Sequence, residues 1–174
     1  MNDKSKKEID NVLLTYKVLH LAQIDLSQSA FFADHLCAQR FHYEPWEINW
    51  KDYLHQMAYM TSLIVAYSRP FIPGRGFPNF PSNLLKDLTL IEKQLHEKLL
   101  DQRNRTYAHT DLDLKKVRLI IQNGTPNAIE AHPHLRMSAD EIKEIRKLIY
   151  KISIAIQKKM SEIAQSYPQI FTIY

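Results

Sequence analysis

Apolar side chains recur every three or four residues along most of the chain, which is the spacing that one buried face of an α-helix requires. No Gly or Pro occurs before Pro45, so residues 5–43 are predicted to form one long helix or two in close succession. The apolar positions of this stretch are Ile9, Val12, Leu13, Tyr16, Leu19, Leu26, Ala30, Phe31, Ala33, Leu36 and Cys37.

The same spacing predicts three further helices, over about 47–68, from Asn83 past Leu100, and from Ser138 to near Pro168. Ser138 and Glu141 have the spacing of a capping box that opens the last helix, which has about seven or eight turns. The predicted buried faces comprise Trp50, Tyr53, Leu54, Met57, Thr61, Ile64 and Val65 in the second helix; Leu84, Leu88, Ile91, Leu95 and Leu99 in the third; and Ile142, Ile145, Ile149, Ile152, Ile156, Met160, Ile163 and Tyr167 in the last.

Two segments break the helical pattern. The insert from Pro70 to Ser82 holds six of the eleven Gly and Pro residues, and its apolar side chains indicate a loop packed onto the body. Residues 117–122 alternate before Asn123 and Gly124, which predicts a short β-hairpin. The expected fold is a single all-α domain over residues 1–174, an up-and-down bundle of four to five helices with the insert and the hairpin.

Composition indicates the class of this protein and the compartment that suits it. The chain has 174 residues, of which 45% are hydrophobic and 24% are charged, as expected for one ordinary globular domain. A single cysteine, Cys37, excludes a disulfide framework and a multi-cysteine zinc site, and it suits a reducing compartment. The polar start does not resemble a secretory signal, and no apolar run has the length of a membrane span. We therefore expect a cytoplasmic protein without a membrane anchor.

The positive charge is concentrated in the middle third of the chain. The net charge is +4, and residues 69–118 contain ten Lys or Arg against six Asp or Glu, so this third accounts for the whole surplus. Such a surplus permits an anionic partner without requiring one, since it also describes an ordinary solvated face.

The segment from Leu99 to Asp111 has the side chains best suited to chemistry. It contains Arg103, Asn104, Arg105, Tyr107 and His109 at the polar end of a predicted helix. Histidine transfers protons near neutral pH, and arginine offers forked donors to phosphate oxygens. Asparagine can orient a hydroxyl group or a water molecule. Together these groups meet the needs of metal-free phosphodiester cleavage.

Helical geometry limits which of these groups can meet. Arg103 and His109 are six residues apart, which places them about 120° apart around a helix, whereas Arg105 and His109 share one face. Arg103 can reach His109 if the helix bends or ends near Thr106, if its long side chain reaches round, or if a second copy completes the site. The simplest alternative is a polar helix end capped by a histidine.

Two segments resemble the HEPN superfamily, whose helical domains occur in toxin–antitoxin, abortive-infection and other RNA-targeting defence systems. Arg103 and Asn104, followed after four residues by His109, are similar to its R-polar-x(4-6)-H motif. Residues 67–71 (YSRPF) and 103–111 (RNRTYAHTD) are similar to the "YxRPF" and "RNxxxAHxD" segments of some HEPN families. The resemblance covers roughly residues 47–111.

This resemblance implies a homodimeric, metal-independent endoribonuclease without a cofactor, with the motif helices of two copies lining one cleft. His109 would transfer the proton, Arg103 would bind the scissile phosphate, and Asn104 would orient either group. A nucleotidyltransferase-like antitoxin is the partner expected from such systems. Many HEPN-like domains lack catalysis, so the alternative is a helical binding or regulatory module, either a degenerate HEPN domain or an unrelated bundle, that recognises a protein or a nucleic acid.

Four further residues are expected to contact the RNA substrate: Arg69, Arg75, Arg105 and Tyr107. Arg69 has no general role in the HEPN superfamily, and its inclusion is our own inference from the acid-free insert. The insert either lies near the motif cleft or forms a hydrophobic flap over the end of the bundle.

A metal site is not expected from either of two histidine-containing motifs. Asp52 and His55 have the spacing of a helical ligand pair but lack a second pair. His132 and His134 lack a third ligand nearby.

Overall fold

The computed structural model describes residues 3–43, 47–74, 78–107, 116–122, 124–131 and 137–171. The helices in this part of the chain are α1 (Asp3–Ala38), α2 (Trp50–Ser68), α3 (Leu90–Gln102) and α4 (Ala139–Ser166). Short 3-10 turns occupy Arg69–Phe71, Ser82–Leu85 and Pro168–Ile170. Strands β1 (Lys116–Gln122) and β2 (Thr125–Ala131) form an antiparallel pair. The predicted all-α bundle and its short hairpin are confirmed.

Helix α1 is continuous over its 36 residues. Of the two predicted alternatives, the first part of the chain therefore forms one long helix and not two. From Leu19 to Leu36 its buried positions follow steps of three and four residues, which keeps them on one face of the helix. The prediction was wrong for Phe31, whose exposed fraction is 62%. The buried residues of α1 are Val18, Leu19, Ala22, Leu26, Ser29, Ala33 and Leu36.

Helix α4 runs antiparallel to α1. Near one end of the pair, Arg146 forms an ion pair with Asp34. Towards the other end, the Tyr167 hydroxyl donates to the Glu8 carboxylate across 3.1 Å. Packing between the two helices buries the isoleucine stripe that the sequence predicts for α4, and the Ser138 capping box begins this helix as expected.

Two ion pairs show that α3 runs antiparallel to α4. Lys98 contacts Glu141 at 2.7 Å, and Lys151 contacts Glu92 at 2.6 Å. Because the later residue of α3 pairs with the earlier residue of α4, the carboxyl end of α3 points toward the amino end of α4. The polar residues that follow Gln102 therefore lie at the end of the bundle where α4 begins.

The buried face of α2 differs from the predicted face. Trp50 and Leu54 were expected inside, but their exposed fractions are 69% and 45%. Gln56 is buried instead, and its side-chain amide bonds both the N–H and the C=O of Tyr43, each at 2.9 Å. A polar side chain that satisfies two backbone groups can be buried, but a hydropathy pattern assigns it to solvent. The buried residues of α2 are Tyr53, Gln56, Met60, Leu63, Ile64, Ala66, Tyr67 and Ser68.

The third helix begins at Leu90 and not at Asn83 as predicted. Thr89 and Glu92 form a capping box, in which each side chain accepts a hydrogen bond from the other residue's backbone N–H. This cap begins the helix later than the apolar spacing indicates. Ile91 was predicted to lie on the buried face, but it lies in the first turn after the cap and its exposed fraction is 77%.

The described part of the insert is packed onto the body, as predicted. Phe71 and Phe80 contact the buried core, and their rings meet edge to face with centroids 5.0 Å apart. Phe77 lies outside the described residues.

In the described part of the chain, no helix carries an apolar stretch of the length needed to cross a bilayer.

Candidate functional site

The carboxyl end of α3 changes from α-helical to π-helical geometry at the predicted motif. Leu99 is fully buried and anchors this end in the core. Arg103 is the C-cap residue, and its N–H bonds the carbonyl oxygens of Leu99 and Leu100. Residues 103–107 then form a single π turn, which contacts α2. Single π turns are rare and occur frequently at functional sites.

The structure brings Arg103 and Asn104 into contact. The Arg103 guanidinium Nη1 donates to the Asn104 side-chain oxygen across 3.1 Å. Arg103 is half-buried, whereas Asn104 and Arg105 are exposed. Arg105 pairs with Asp101, one turn earlier, at 3.9 Å. Arg103 and Arg105 thus differ in their surroundings, which a spacing argument alone does not distinguish.

Arginines at the carboxyl end of α3 also have a purely structural explanation, which is stabilisation of the helix end. The unpaired carbonyl groups at a helix carboxyl end carry partial negative charge, and nearby cations stabilise them by about 0.3–1 kcal/mol each. Arg103 and Arg105 follow the last α-helical residue, Gln102. A stabilising role and a phosphate-binding role are compatible, since a guanidinium group has donors for both.

The structure describes less of three other predicted site residues. His109 and Arg75 lie outside the described residues, and only the backbone of Tyr107 is described. The π turn shows that regular α-helical rotation does not continue from Arg103, so the 120° separation from His109 no longer follows. Which arginine approaches His109 stays a prediction.

Arg69 connects the end of α2 to α1. Its guanidinium Nη1 donates to the Asp25 carboxylate at 3.2 Å and to the Gln28 side-chain oxygen at 3.3 Å. The Arg69 side chain is 55% exposed. Its guanidinium therefore has a structural partner at the surface, and contact with RNA stays a prediction.

A histidine on α3 forms an interhelical pair that the sequence did not reveal. The Tyr67 hydroxyl on α2 is 2.8 Å from His96 Nδ1. Phe71 presents its ring edge-to-face to His96, with centroids 4.7 Å apart. Burial raises the pKa of Tyr67 well above its usual range and lowers the pKa of His96, because both charged forms lose contact with water. The partnership was missed because 29 residues separate the two; the position of Tyr67 in the YSRPF segment is the one sequence signal.

A cleft of about 640 Å³ lies where the end of α1, the following loop and the first half of α2 meet. His35 and Tyr59 stack in it with ring centroids 4.0 Å apart, and Asp52 and His55 also line it. Asp52 accepts a hydrogen bond from the Asn49 side chain at 2.7 Å. No group of three or more His, Cys, Asp or Glu side chains is placed to hold a metal ion within the described ranges.

Comparison of the chain with protein-family models, with characterised proteins and with solved structures finds no match.

Proposed function

We propose that this chain is a metal-independent endoribonuclease of the HEPN type that acts in a prokaryotic toxin–antitoxin or phage-defence system. The observation that supports this proposal most directly is the contact between Arg103 and Asn104 on a π turn at the exposed end of α3. A forked cation held beside a side-chain amide is what the proposed phosphate contact needs. Three residues of the motif take part in the proposed reaction: Arg103, Asn104 and His109.

The proposed reaction is attack of a ribose 2′-hydroxyl on the adjacent phosphorus. His109 either accepts the proton of the attacking 2′-hydroxyl or donates a proton to the leaving 5′-oxygen. Arg103 holds two oxygens of the scissile phosphate through its forked donors, and Asn104 holds Arg103 in place. The reaction produces a 2′,3′-cyclic phosphate on one fragment and a 5′-hydroxyl on the other.

The cellular setting belongs to the same proposal. We infer a cytoplasmic protein, since Cys37 is unpaired and suits a reducing compartment. We also infer a homodimer, in which the motif segments of two copies share a cleft, and a nucleotidyltransferase-like antitoxin as the neutralising partner. The proposed partners rest on the resemblance of residues 67–71 and 103–111 to HEPN segments.

The deciding experiment incubates the purified chain with mixed RNA in EDTA and analyses the fragment ends. We expect cleavage despite the chelator, 2′,3′-cyclic phosphate ends, and intact DNA in a parallel sample. RNA with 2′-O-methyl groups is the matched substrate, and it should resist cleavage because the nucleophile is blocked. A chain that binds RNA but never cuts it, with or without divalent metal, would overturn the enzyme proposal in favour of a binding module.

A further inference from the structure

The hairpin exposes apolar side chains on its first strand. Leu119 and Ile121 have exposed fractions of 81% and 78%, and their two-residue separation places them on the same face of β1. A two-stranded hairpin is only marginally stable in water by itself, and a third strand or a packed face is needed to stabilise it. This hairpin therefore has the properties of an incomplete sheet.

The two edges of the hairpin differ in their ability to accept another strand. Gln122 pairs with Thr125 beside the two-residue turn, where Gly124 has φ 76°, so Ile121 and Pro126 form the next, non-hydrogen-bonded pair. The backbone groups of such a pair point away from the hairpin. Since Pro126 has no N–H, the outer edge of β2 lacks a donor there. Strand β1 contains no proline, and its outer edge is intact.

The outward-pointing groups of β1 belong to alternate residues: positions 117, 119 and 121. These three positions pair with the same three positions of a second copy when the two β1 strands run antiparallel about a two-fold axis at Leu119. Position 117 then lies opposite position 121 of the second copy, and position 119 lies opposite itself. All three outward-pointing positions obtain a partner.

Charge favours this register over its nearest alternatives. With the axis at Leu119, Lys116 lies opposite Gln122 and Arg118 lies opposite Ile120, so no like charges face each other. An axis at Arg118 places two arginines opposite each other and pairs only positions 117 and 119. An axis at Ile120 pairs only positions 119 and 121.

We propose that β1 is a homodimer interface, through which two copies of the chain form one four-stranded antiparallel sheet. The pairing brings Leu119 beside Leu119 of the second copy and Ile121 beside position 117 of the second copy, so each exposed apolar side chain gains an apolar neighbour across an isologous interface. The interface does not depend on the proposed ribonuclease activity.

The first test replaces both exposed residues with lysine, as Leu119→Lys with Ile121→Lys, and measures sedimentation at tens of micromolar. Wild-type chain should sediment as a dimer and the variant as a monomer, because four lysines would crowd the axis. The substitutions are at exposed positions, so the helical circular dichroism should be unchanged. The matched control is Leu90→Lys with Ile91→Lys, two residues of α3 exposed by 73% and 77%, which should stay dimeric. A monomeric wild type, or a dimeric β1 variant, would overturn the proposal.

The second test examines the register by crosslinking in a Cys37→Ser background. Directly opposed residues in a hydrogen-bonded antiparallel pair have Cα atoms about 5.5 Å apart, within the range of a disulfide. Leu119→Cys should therefore crosslink two copies on mild oxidation. Thr125→Cys, an exposed residue of β2, should not. Equal crosslinking of both variants, or none at position 119 in a dimer, would contradict pairing at this axis.

Discussion

The Tyr67 hydroxyl lies 2.8 Å from His96 Nδ1 and joins the last turns of α2 to the middle of α3. His96 and Arg103 are seven residues apart, so they lie within about 20° of one helix face and about two turns apart. The pair is thus part of the packing that places α3, and with it the π turn at residues 103–107, against α2. Its chemistry makes the stability of this packing dependent on pH.

Stability should fall on acidification because of His96. Burial lowers the pKa of His96 in the folded chain, whereas the unfolded chain takes up the proton near pH 6.5. The unfolded state therefore binds more protons between these two values, and the free energy of unfolding decreases as pH falls from about 6.5 through the folded pKa. Urea denaturation at pH 7.5, 6.5 and 5.5 measures this loss, which should be smaller in His96→Gln.

The control for this prediction is His20→Gln, which changes an exposed histidine of α1. Its loss of stability between pH 7.5 and 5.5 should match that of the wild type. Parallel curves for wild type and His96→Gln would show that His96 does not titrate differently in the two states.

A glycine at position 40 should stabilise the chain. Arg40 has φ 56°, in the left-handed region, and it follows α1 in a Schellman turn in which the Phe41 N–H bonds the Leu36 carbonyl at 2.9 Å. A non-glycine residue in this conformation costs roughly 1–2 kcal/mol per residue because Cβ crowds the backbone. Arg40→Gly should therefore raise the free energy of unfolding by about 1 kcal/mol, as measured in urea.

The matched control is Ala38→Gly, two residues earlier and still within α1. There, glycine has only the entropic cost and should lower stability by at most the cost in the middle of a helix, about 0.5–1 kcal/mol. If both glycines lower the free energy of unfolding, the left-handed strain at Arg40 is not what limits stability there.

Substitutions in the motif should separate the roles of its two arginines. His109→Gln should reduce the rate of RNA cleavage by about 10² to 10⁴, the usual contribution of a general acid or base. Arg103→Lys should also be costly, because one ammonium cannot reproduce two forked contacts to phosphate. Arg105→Lys should have little effect, since Arg105 contacts Asp101 and is exposed. Single-turnover rates at saturating enzyme measure all three variants.

If Arg105→Lys slows cleavage more than Arg103→Lys does, phosphate binding belongs to Arg105, which shares a helix face with His109 in regular α-helical geometry. Circular dichroism and thermal unfolding serve as controls for folding. Arg103 and Arg105 lie at the polar end of α3, so the melting temperatures of their variants should change little.

The sequence by itself determined the elements that depend on neighbouring residues. Helices α1 and α4 follow from apolar steps of three and four, and the start of α4 follows from Ser138 and Glu141. The hairpin follows from the Asn123-Gly124 pair. The polar end of α3 likewise placed Arg103, Asn104 and Arg105 together, because residues this close along a helix cannot separate in space.

Only the tertiary structure decided which face of α2 is buried and what the motif packs against. Gln56 is inside because it bonds the backbone of Tyr43, and Tyr67 meets His96 across 29 residues. The π turn at residues 103–107 has no counterpart in the apolar spacing either. Gln56 and the Tyr67–His96 pair share one physical reason: hydropathy ranks each side chain by its own transfer from water, whereas burial of a polar group depends on a partner that the fold brings from elsewhere.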